Sequence, residues 1–261
     1  MNHGAAVAIS YRNVSKRFKN TTYNAVDDVT LDIGEGEFVT ILGSSGSGKT
    51  TLLKMTNRLY EPDSGSIHLF GENIRDVDAV LVRRRIGYAI QQVGLLPHMT
   101  VAQNIAIVPM LLKWGKQRIS ARVGELAALV GLEDEFLARY PSQLSGGQQQ
   151  RAGLARALAI DPKIMLLDEP FGAIDAINRL NLQDEIKRIH KSFESVKKTF
   201  LFVTHDINEA LKLGTKVIVM NEGKVVQYDT PVNIARNPVD GFVKSLIRSC
   251  REQEKFWEGL L

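Results

Sequence analysis

Cysteine is nearly absent from this chain, since Cys250 is the only one among 261 residues. A single cysteine excludes an intrachain disulfide, and we therefore expect a reducing compartment. Long apolar runs are missing too: the longest, 105–112, has eight residues and contains Pro109, whereas a membrane-spanning helix needs about 20 apolar residues. Residues 1–9 lack the positive region and the apolar length of a signal peptide. We expect a soluble chain that reaches a membrane only through a partner.

A strong charge of one sign is also lacking. The formal net charge is +4, the sequence pI is about 9.1, and the densest basic cluster is the three arginines at 83–85. Nucleic-acid binding needs basic residues gathered on one face, so this short cluster is more typical of a solvated helix, and we expect no nucleic-acid partner. The hydrophobic fraction of 44% and the charged fraction of 24% fit an ordinary globular protein.

Two hydrophobic patterns predict an α/β fold. Val29, Leu31 and Ile33 alternate with polar neighbours, which is typical of a half-buried strand, and residues 38–42 form an unbroken run typical of a buried one. Further runs predict strands, listed here by number: 164–167, 200–203, 217–220 and, after a turn at 222–223, 224–228. Residues 100–160 are rich in Ala, Leu, Arg and Gln and predict helices. The alternation later in the chain favours parallel strands joined by crossover helices.

A phosphate-binding motif follows the strand predicted at 38–42. It reads G-x-x-x-x-G-K-[ST] and consists of Gly43, Ser44, Ser45, Gly46, Ser47, Gly48, Lys49 and Thr50, with Thr51 opening a predicted helix at 51–59. The glycines let backbone N–H groups converge on phosphate oxygens, and the helix adds the positive end of its dipole. In such a loop Lys49 would reach the β- and γ-phosphates of a nucleotide, and the Thr50 hydroxyl would hold Mg²⁺.

Two acidic residues end the apolar strand predicted at 164–167. A buried parallel strand delivers such residues to the edge of the sheet where α/β proteins bind ligands. Asp168 is placed to hold Mg²⁺ through its water shell, and Glu169 points differently and can polarise the water that attacks ATP. An apolar run before Asp-Glu is common by itself. Its interpretation as a Mg²⁺ and water site depends on the phosphate loop upstream.

A second glycine turn lies between these elements. It consists of Ser145, Gly146, Gly147 and Gln148, opens a helix predicted over 148–160, and makes a second anion site. With Leu144 before it and Arg151 after it, this segment resembles the signature motif of ABC ATPases, which other phosphate-loop families lack. The resemblance implies a head-to-tail dimer in which the signature of one copy closes over the ATP held by the other.

Other residues fall in register with this family. Gln91 resembles the glutamine that reaches Mg²⁺, Asp175 resembles the residue at the dimer interface, and His205 resembles the histidine that contacts the γ-phosphate. Ile174 stands where leucine is usual. Phe18 matches the aromatic residue that stacks on adenine, with Tyr23 and Tyr11 as alternatives.

The resemblance covers residues 7–245 and is closest to the ATP-binding subunits of bacterial importers for glycine betaine, carnitine or choline. The supporting stretches are 55–59, 90–101, 111–114 and 170–175. The implied fold is a P-loop NTPase ABC ATPase core with an N-terminal antiparallel β-subdomain. This ATPase domain would span 1–235 with a helical subdomain inserted at about 92–160, followed by a helical tail at 236–261. Many relatives continue into paired regulatory CBS modules, and a sequence that ends at 261 gives such regulation no support.

The resemblance also implies partners: a second copy of the chain, permease subunits that contact the region 91–117, and, indirectly, a substrate-binding protein. ATP and Mg²⁺ are the implied cofactors, and the cytoplasmic face of the membrane is the implied location. The solute cannot be identified from these residues, so another solute such as an amino acid stays open.

Two other classes of function remain as alternatives. A soluble ABC ATPase of DNA repair or translation usually has a long coiled-coil insertion or two ATPase units, yet only 53 residues separate Gln91 from Ser145 and there is one phosphate loop. A kinase or other single-site phosphotransferase is the second alternative, but it does not account for the second glycine turn in the segment 144–151. In the tail, Phe242, Val243 and Leu246 share one helix face with Ile247 and predict packing against the domain itself or a contact with a partner.

Overall fold

The apolar patterns of the sequence form strands and helices close to the predicted places. The computed structural model describes residues 6–19, 21–90, 94–172, 175–239 and 241–258. The strands are β1 Val7–Arg17, β2 Asn24–Gly34, β3 Phe38–Leu42, β4 Ser64–Leu69, β5 Glu72–Asn73, β6 Ile86–Ala89, β7 Ile164–Asp168, β8 Thr199–Thr204, β9 Lys216–Asn221 and β10 Lys224–Asp229. The helices are α1 Lys49–Thr56, α2 Ala79–Arg84, α3 Val101–Leu111, α4 Lys116–Leu129, α5 Gly146–Leu158, α6 Ala176–Ser192, α7 Ile207–Leu213, α8 Pro231–Arg236 and α9 Gly241–Glu258.

The chain divides into two units, 1–79 with 201–261 and 80–200. The first unit contains the expected antiparallel sheet, whose strand order is β2-β1-β4-β5. Val29 and Ile33 are buried on β2, as the alternation predicts. On β1 the fully buried Tyr11 hydrogen-bonds through its hydroxyl to Thr56 Oγ1 at 2.7 Å, which ties this sheet to α1.

A mixed sheet in the first unit positions the phosphate loop. Its strands run in the order β10-β9-β3-β8, with β9 parallel to β3 and antiparallel to β10. All five residues of β3 are buried, as their unbroken apolar character predicts. The predicted turn at 222–223 joins β9 to β10, and both of its residues have positive φ, 47° at Glu222 and 81° at Gly223.

The second unit contains β6 and β7, which are parallel, and helices α3 to α6. The apolar pattern of the sequence does not predict β6, because its four residues include Gly87 and show no clear alternation. The glycine has a packing reason: a Cβ there would lie 2.2 Å from Met165 Sδ and 2.5 Å from the Ala157 carbonyl oxygen. Helix α5 and strand β7 therefore pack directly on the backbone of β6.

The start of the C-terminal helix packs on the first unit. Val243 and Ile247 of α9 lie in a buried cluster with Leu42, Ala210, Val217, Val219 and Ile234, and Phe242 and Leu246 pack beside it while only partly buried. The predicted apolar face at the start of the tail therefore covers the domain itself. The side chains of residues 256 and 257 and the last three residues lie outside the described part of the chain.

Candidate nucleotide-binding and hydrolysis site

The phosphate-binding loop lies between β3 and α1, as its motif predicts. Its exposed residues are Ser44, Ser45 and Gly46, and its buried residues are Gly43, Ser47, Gly48 and Lys49. Thr50 and Thr51, in the first turn of α1, are half-buried. The tip of the loop is therefore accessible to a ligand, and the flanking residues anchor it in the first unit.

Two loop glycines are required by close backbone packing. Gly48 has a φ of 100°, and a Cβ there would lie 2.1 Å from the carbonyl oxygen of Ala25 on β2. A Cβ at Gly43 would lie 2.3 Å from the carbonyl oxygen of Met220 on β9 and 2.5 Å from Ser47 Oγ. Since any side chain would displace one of these strands, the glycines fix the loop against the sheets.

The residues at the start of α1 fit a phosphate group. Gly48 is the N-cap and offers no side-chain acceptor, and the first turn contains no acidic residue. Backbone N–H groups at a helix start lack intrahelical partners and favour anions. Ser47 Oγ is buried with no hydrogen-bond partner among the described residues, which indicates that a polar group from a ligand completes its bonding.

Lys49 lies against the loop with its charge out of solvent. Only 5% of its surface is exposed, and its Nζ donates hydrogen bonds of 2.8 Å to the carbonyl oxygens of Gly43 and Ser44. A buried ammonium group needs such partners. The cation is therefore held beside the N-terminus of α1, where it can neutralise a bound phosphate.

Asp168 is the last residue of β7 and lies where the sequence predicts, at the carboxyl end of a fully buried strand. It is 7% exposed, and the Tyr88 hydroxyl on β6 donates to its Oδ2 at 3.3 Å. Sequence reasoning missed Tyr88, because the pairing of β6 with β7 is a tertiary feature. A carboxylate oxygen at a strand end is a ligand that Mg²⁺ accepts.

Glu169 adopts a backbone conformation that is unusual for its residue type. Its φ is 44°, and its carbonyl oxygen accepts a hydrogen bond of 3.2 Å from the Gly172 N–H in the turn that follows. Non-glycine residues in this region carry strain and are common at functional sites. The backbone therefore turns at Glu169, directly after the strand that ends at Asp168.

Ser145 caps helix α5 at the signature turn. Its Oγ accepts a hydrogen bond of 3.3 Å from the Gln148 N–H, and Gln148 Oε1 accepts one of 2.9 Å from the Ser145 N–H. This capping box starts the helix at Gly146, two residues before the predicted start, and the pattern S-x-x-Q could have indicated it. Ser145 and Gly146 are exposed, and nothing lies within 4 Å of a Cβ placed on Gly147. The helix N-terminus is therefore open to a ligand.

Asp175 caps helix α6. Its Oδ1 accepts a hydrogen bond of 3.1 Å from the Asn178 N–H, and its Oδ2 accepts one of 2.7 Å from the Asn178 side chain. These bonds hold the pKa of the Asp175 carboxyl below its ordinary value. Residues 173 and 174 of the same segment lie outside the described residues.

His205 follows β8 and is exposed. The residue before it, Thr204, donates its hydroxyl to Glu209 Oε2 at 2.5 Å and accepts a hydrogen bond of 3.0 Å from the Asp206 N–H. Both Thr204 and Glu209 are buried. Sequence reasoning missed this pair, which fixes the backbone on both sides of His205.

The three aromatic candidates for adenine differ in accessibility. Tyr11 is fully buried and bonded to Thr56, so its ring cannot stack on a ligand. Phe18 is half-buried and packs edge-on against Tyr60 with ring centroids 5.3 Å apart, and Tyr23 is 65% exposed. Phe18 and Tyr23 therefore remain as candidates.

The predicted site residues are distributed over both units. Phe18, the phosphate loop and His205 belong to the first, and Asp168, Glu169, the signature turn and Asp175 belong to the second. Gln91 lies outside the described residues. Among the described residues, no group of three His, Cys, Asp or Glu side chains is arranged to hold a metal ion. The predicted Mg²⁺ does not require one, because it is commonly bound by one or two protein oxygens and the phosphates.

Comparison with known proteins gives consistent matches over most of the chain. The ABC transporter family matches residues 26–172. The choline transport ATP-binding protein OpuBA of Bacillus subtilis (strain 168) is 51% identical over 239 residues, which are 92% of this chain and 62% of that protein. The glycine betaine uptake system ATP-binding protein YehX of Escherichia coli (strain K12) is 51% identical over 236 residues, 90% of this chain and 75% of that protein.

A solved structure supports the same match at the level of the fold. The ATP-binding cassette MJ0796, in a dimeric post-hydrolysis state bound to ADP and Pi, has a TM-score of 0.76 and 35% identity, and the match covers 85% of this chain and 98% of that one. The chain spans less than two thirds of the length of OpuBA. In the described part of the chain, no helix combines the length and the apolar character that crossing a membrane requires.

Proposed function

The chain belongs to the ABC transporter family, and from this premise we propose that it is the ATP-hydrolysing subunit of a membrane importer for small osmoprotectants of the glycine betaine, carnitine and choline type. The α/β ABC ATPase fold supports hydrolysis. The names of its relatives, which refer to choline transport and glycine betaine uptake, support the class of solute.

The observation that carries the proposal is the presence of two open helix N-termini with different neighbours. The first, at α1, follows a phosphate loop with a buried lysine. The second, at α5, is capped by Ser145 and exposed. One triphosphate occupies the first, so the second is available to the nucleotide of another copy. We therefore propose a head-to-tail dimer with two ATP molecules between the copies.

Each site residue has a proposed role in hydrolysis. The loop N–H groups and Lys49 hold the phosphates, and His205 contacts the γ-phosphate. When bound, Mg²⁺ neutralises charge on the phosphate oxygens, and its proposed ligands are Thr50, Asp168 and Gln91. The remaining proposed contacts are Phe18 with adenine and Asp175 with the second copy.

Glu169 is the proposed general base. Its carboxylate accepts a proton from a water molecule while the water oxygen bonds to the γ-phosphorus. The bond between the γ-phosphorus and the bridging oxygen breaks, and ADP leaves with the electron pair of that bond. Lys49 and the signature N–H groups of the second copy stabilise the charge that develops.

The proposed partners follow from this role. Permease subunits would contact the region 91–117 and place the chain at the cytoplasmic face of the membrane as a peripheral subunit. A substrate-binding protein would interact only with the permease. ATP binding selects the closed dimer, because ATP contacts both copies only in that state.

The test replaces the proposed base. Glu169→Gln should retain ATP binding, form a dimer with ATP, and lose roughly 100-fold or more of the hydrolysis rate. Phosphate release and nucleotide affinity are measured on the purified chain. Glu194→Gln, on an exposed turn of the same unit, is the control. Normal turnover by Glu169→Gln would show that another residue is the base.

A transport assay tests the solute. The chain is combined with its permease and binding protein in vesicles containing ATP, and uptake of radiolabelled glycine betaine, carnitine and choline is compared with uptake of an amino acid. Glu169→Gln should abolish uptake of the osmoprotectants. Uptake of the amino acid alone would contradict the proposed class of solute, but it would not contradict the proposed ATP hydrolysis.

A further inference from the structure

A buried carboxylate on α6 joins two arginines in the second unit. The Glu185 side chain is 8% exposed, its Oε2 lies 2.5 Å from Arg151 Nη1 on α5, and its Oε1 lies 3.8 Å from Arg188 Nη2 on α6. Burial raises the pKa of this carboxyl, and the two arginines oppose that rise. A buried ion pair of this kind adds little net stability compared with apolar packing. Its contribution therefore lies more in fixing the positions of the helices that it joins.

Arg151 connects this carboxylate to a third helix. Its Nη1 donates a hydrogen bond of 2.7 Å to the carbonyl oxygen of Val130 and one of 3.3 Å to that of Gly131, at the C-terminal end of α4. Gly131 has a φ of 61°, and a Cβ there would lie 2.6 Å from Arg151 Nη1 and 3.0 Å from Glu185 Oε1. A single guanidinium group therefore fixes α4, α5 and α6 at one junction.

Two of the three helices at this junction begin at residues with a proposed role in binding the nucleotide or the second copy. Helix α5 begins at the Ser145 cap, and α6 begins at the Asp175 cap. The other end of α5 is held by Arg122, which donates to the carbonyl oxygens of Leu158 at 2.9 Å and Ala159 at 3.1 Å. Loss of the Glu185 contact would remove the ion pair between α5 and α6 at Arg151, and α5 could then tilt about that far end.

A small tilt is sufficient to disturb a phosphate contact. Helix α5 is roughly 18 Å long from its first to its last residue, so a tilt of about 3° about its far end shifts its first turn by about 1 Å. Hydrogen-bond donors to a charged oxygen work best at about 2.7–3.1 Å from it, a range only about 0.4 Å wide. A displacement of about 1 Å in such a contact can cost about 100-fold in rate.

We propose that Glu185 is a positioning residue for the signature turn, which acts through Arg151 to aim the N-terminus of α5 at the nucleotide held by a second copy. The inference rests on the proposed dimer and names the residue that keeps its trans site in place. Glu185 itself contacts no nucleotide; it acts on the direction of α5.

The experiment compares Glu185→Gln with Arg139→Gln in chains that also carry Glu169→Gln. Arg139 is the control, because it too pairs with a glutamate of the second unit, Glu135, but this pair is exposed and neither residue lies on α5 or α6. The dissociation constant of the ATP-dependent dimer is measured by sedimentation velocity. ATP affinity of the monomer is measured with a fluorescent ATP analogue at concentrations below dimer formation.

We expect Glu185→Gln to raise the dimer dissociation constant roughly tenfold or more while monomer affinity for ATP changes less than about twofold. Arg139→Gln should leave both values within about twofold. Glu185→Asp, which keeps the charge, should recover part of the loss. In chains with an intact Glu169, Glu185→Gln should lower kcat without a matching loss of nucleotide affinity.

Three outcomes decide between the ideas. If the parent Glu169→Gln chain does not dimerise with ATP, the proposed function fails, and this inference fails with it. If the parent dimerises and Glu185→Gln dimerises equally well, or Arg139→Gln loses as much, only the positioning role is overturned. If Glu185→Gln does not fold, Glu185→Asp and Arg151→Lys replace it, and normal dimerisation by both would overturn the role.

Discussion

Lys49 and Asp168 carry charges yet are only 5% and 7% exposed. Lysine and aspartate side chains remain at the surface unless polar partners compensate for burial. Here the partners are loop carbonyl groups for Lys49 and the Tyr88 hydroxyl for Asp168. These contacts keep each charge in a fixed place before any nucleotide arrives, which is the arrangement that electrostatic catalysis requires.

Lys49→Ala should weaken ATP binding by roughly 10- to 100-fold, because it removes hydrogen bonds from a charged donor, which contribute about 1.5–3 kcal/mol. The measurement is a titration with a fluorescent ATP analogue. Lys54→Ala, in the last turn of the same helix, is the control, since Lys54 lies 5.7 Å from the Tyr60 ring centroid and away from the loop. Equal affinities of the two variants would refute the role of Lys49.

Gly48→Ala should destabilise the chain by about 2 kcal/mol or more, because the added Cβ combines an unfavourable φ with a clash. Gly71→Ala is the matched control: its φ is 83°, and nothing lies within 4 Å of its Cβ. That change should cost only about 1 kcal/mol. Urea unfolding of both variants gives the comparison. Similar losses would mean that contact with Ala25 is unimportant.

At the scale of elements, the proposed site residues lie where a strand ends or a helix begins. The phosphate loop follows β3, Asp168 ends β7, and His205 follows β8, while Ser145 and Asp175 cap helices. Strand ends place side chains at one edge of a sheet, and helix starts expose N–H groups. The turn after β8 shows how such a position is stabilised, because Thr204 bonds to Glu209 on the next helix.

Thr204→Val should lower kcat for ATP hydrolysis by roughly tenfold while leaving ATP affinity nearly unchanged, because the backbone around His205 loses its support. Thr230→Val is the control: it removes the N-cap bond of α8, in which Thr230 Oγ1 accepts from the Asn233 N–H at 3.3 Å. Steady-state kinetics and thermal unfolding are measured together. If the control loses the same activity, or Thr204→Ser fails to restore it, the positioning role is incorrect.

Element boundaries were predicted less well than element types. Helix α1 ends at Thr56 rather than at residue 59, because Arg58 adopts a φ of 56° and leaves the helix. Helix α5 begins earlier than predicted because Ser145 and Gln148 cap each other. Both deviations arise from local hydrogen bonding or backbone angles, which hydrophobic patterns do not report.

At the scale of the whole molecule, several surface aspartates link stability to pH. The pKa values of Asp32, Asp63, Asp175 and Asp229 are held below the ordinary value of 3.8 by hydrogen bonds. A depressed pKa contributes stability that is fully present above the ordinary pKa and is lost as pH falls through the lower, folded-state value. The contribution of these groups to the free energy of unfolding should therefore be constant between about pH 5 and neutral pH, and it should decline below about pH 4.

Asp63→Asn tests one of these contributions. Asp63 accepts from Lys16 Nζ and from the Arg17 N–H, both at 2.7 Å. Because the pair is partly exposed, the variant should lose about 1 kcal/mol or less at pH 7, and the difference from the unchanged chain should vanish near pH 2. Urea unfolding across pH, repeated in 1 M salt to screen the ion pair, gives the measurement. A difference that persists at low pH would show a cause other than ionisation.

The sequence predicted the fold class, the phosphate loop and the strand that ends in Asp168 because each depends on neighbouring residues. It did not predict β6, the bond from Tyr88 to Asp168, or the junction at Glu185. Those features join residues that are far apart in the chain, such as Tyr88 and Asp168, and no local pattern specifies such partners. The roles of Gln91 and of the signature turn in a second copy stay predictions.

By itself, the sequence determined which segments match a phosphate-binding motif and which segments form strands or helices. Glycine spacing, apolar periodicity and helix caps can specify these features because they act over a few residues. Only the tertiary structure decided that Tyr11 is buried rather than available to adenine, that Gly48 must pass within 2.1 Å of Ala25, and that Arg151 meets Glu185. The reason is physical: burial and close contact depend on which distant segments pack together, and that is settled by the free energy of the whole chain rather than by any one stretch of it.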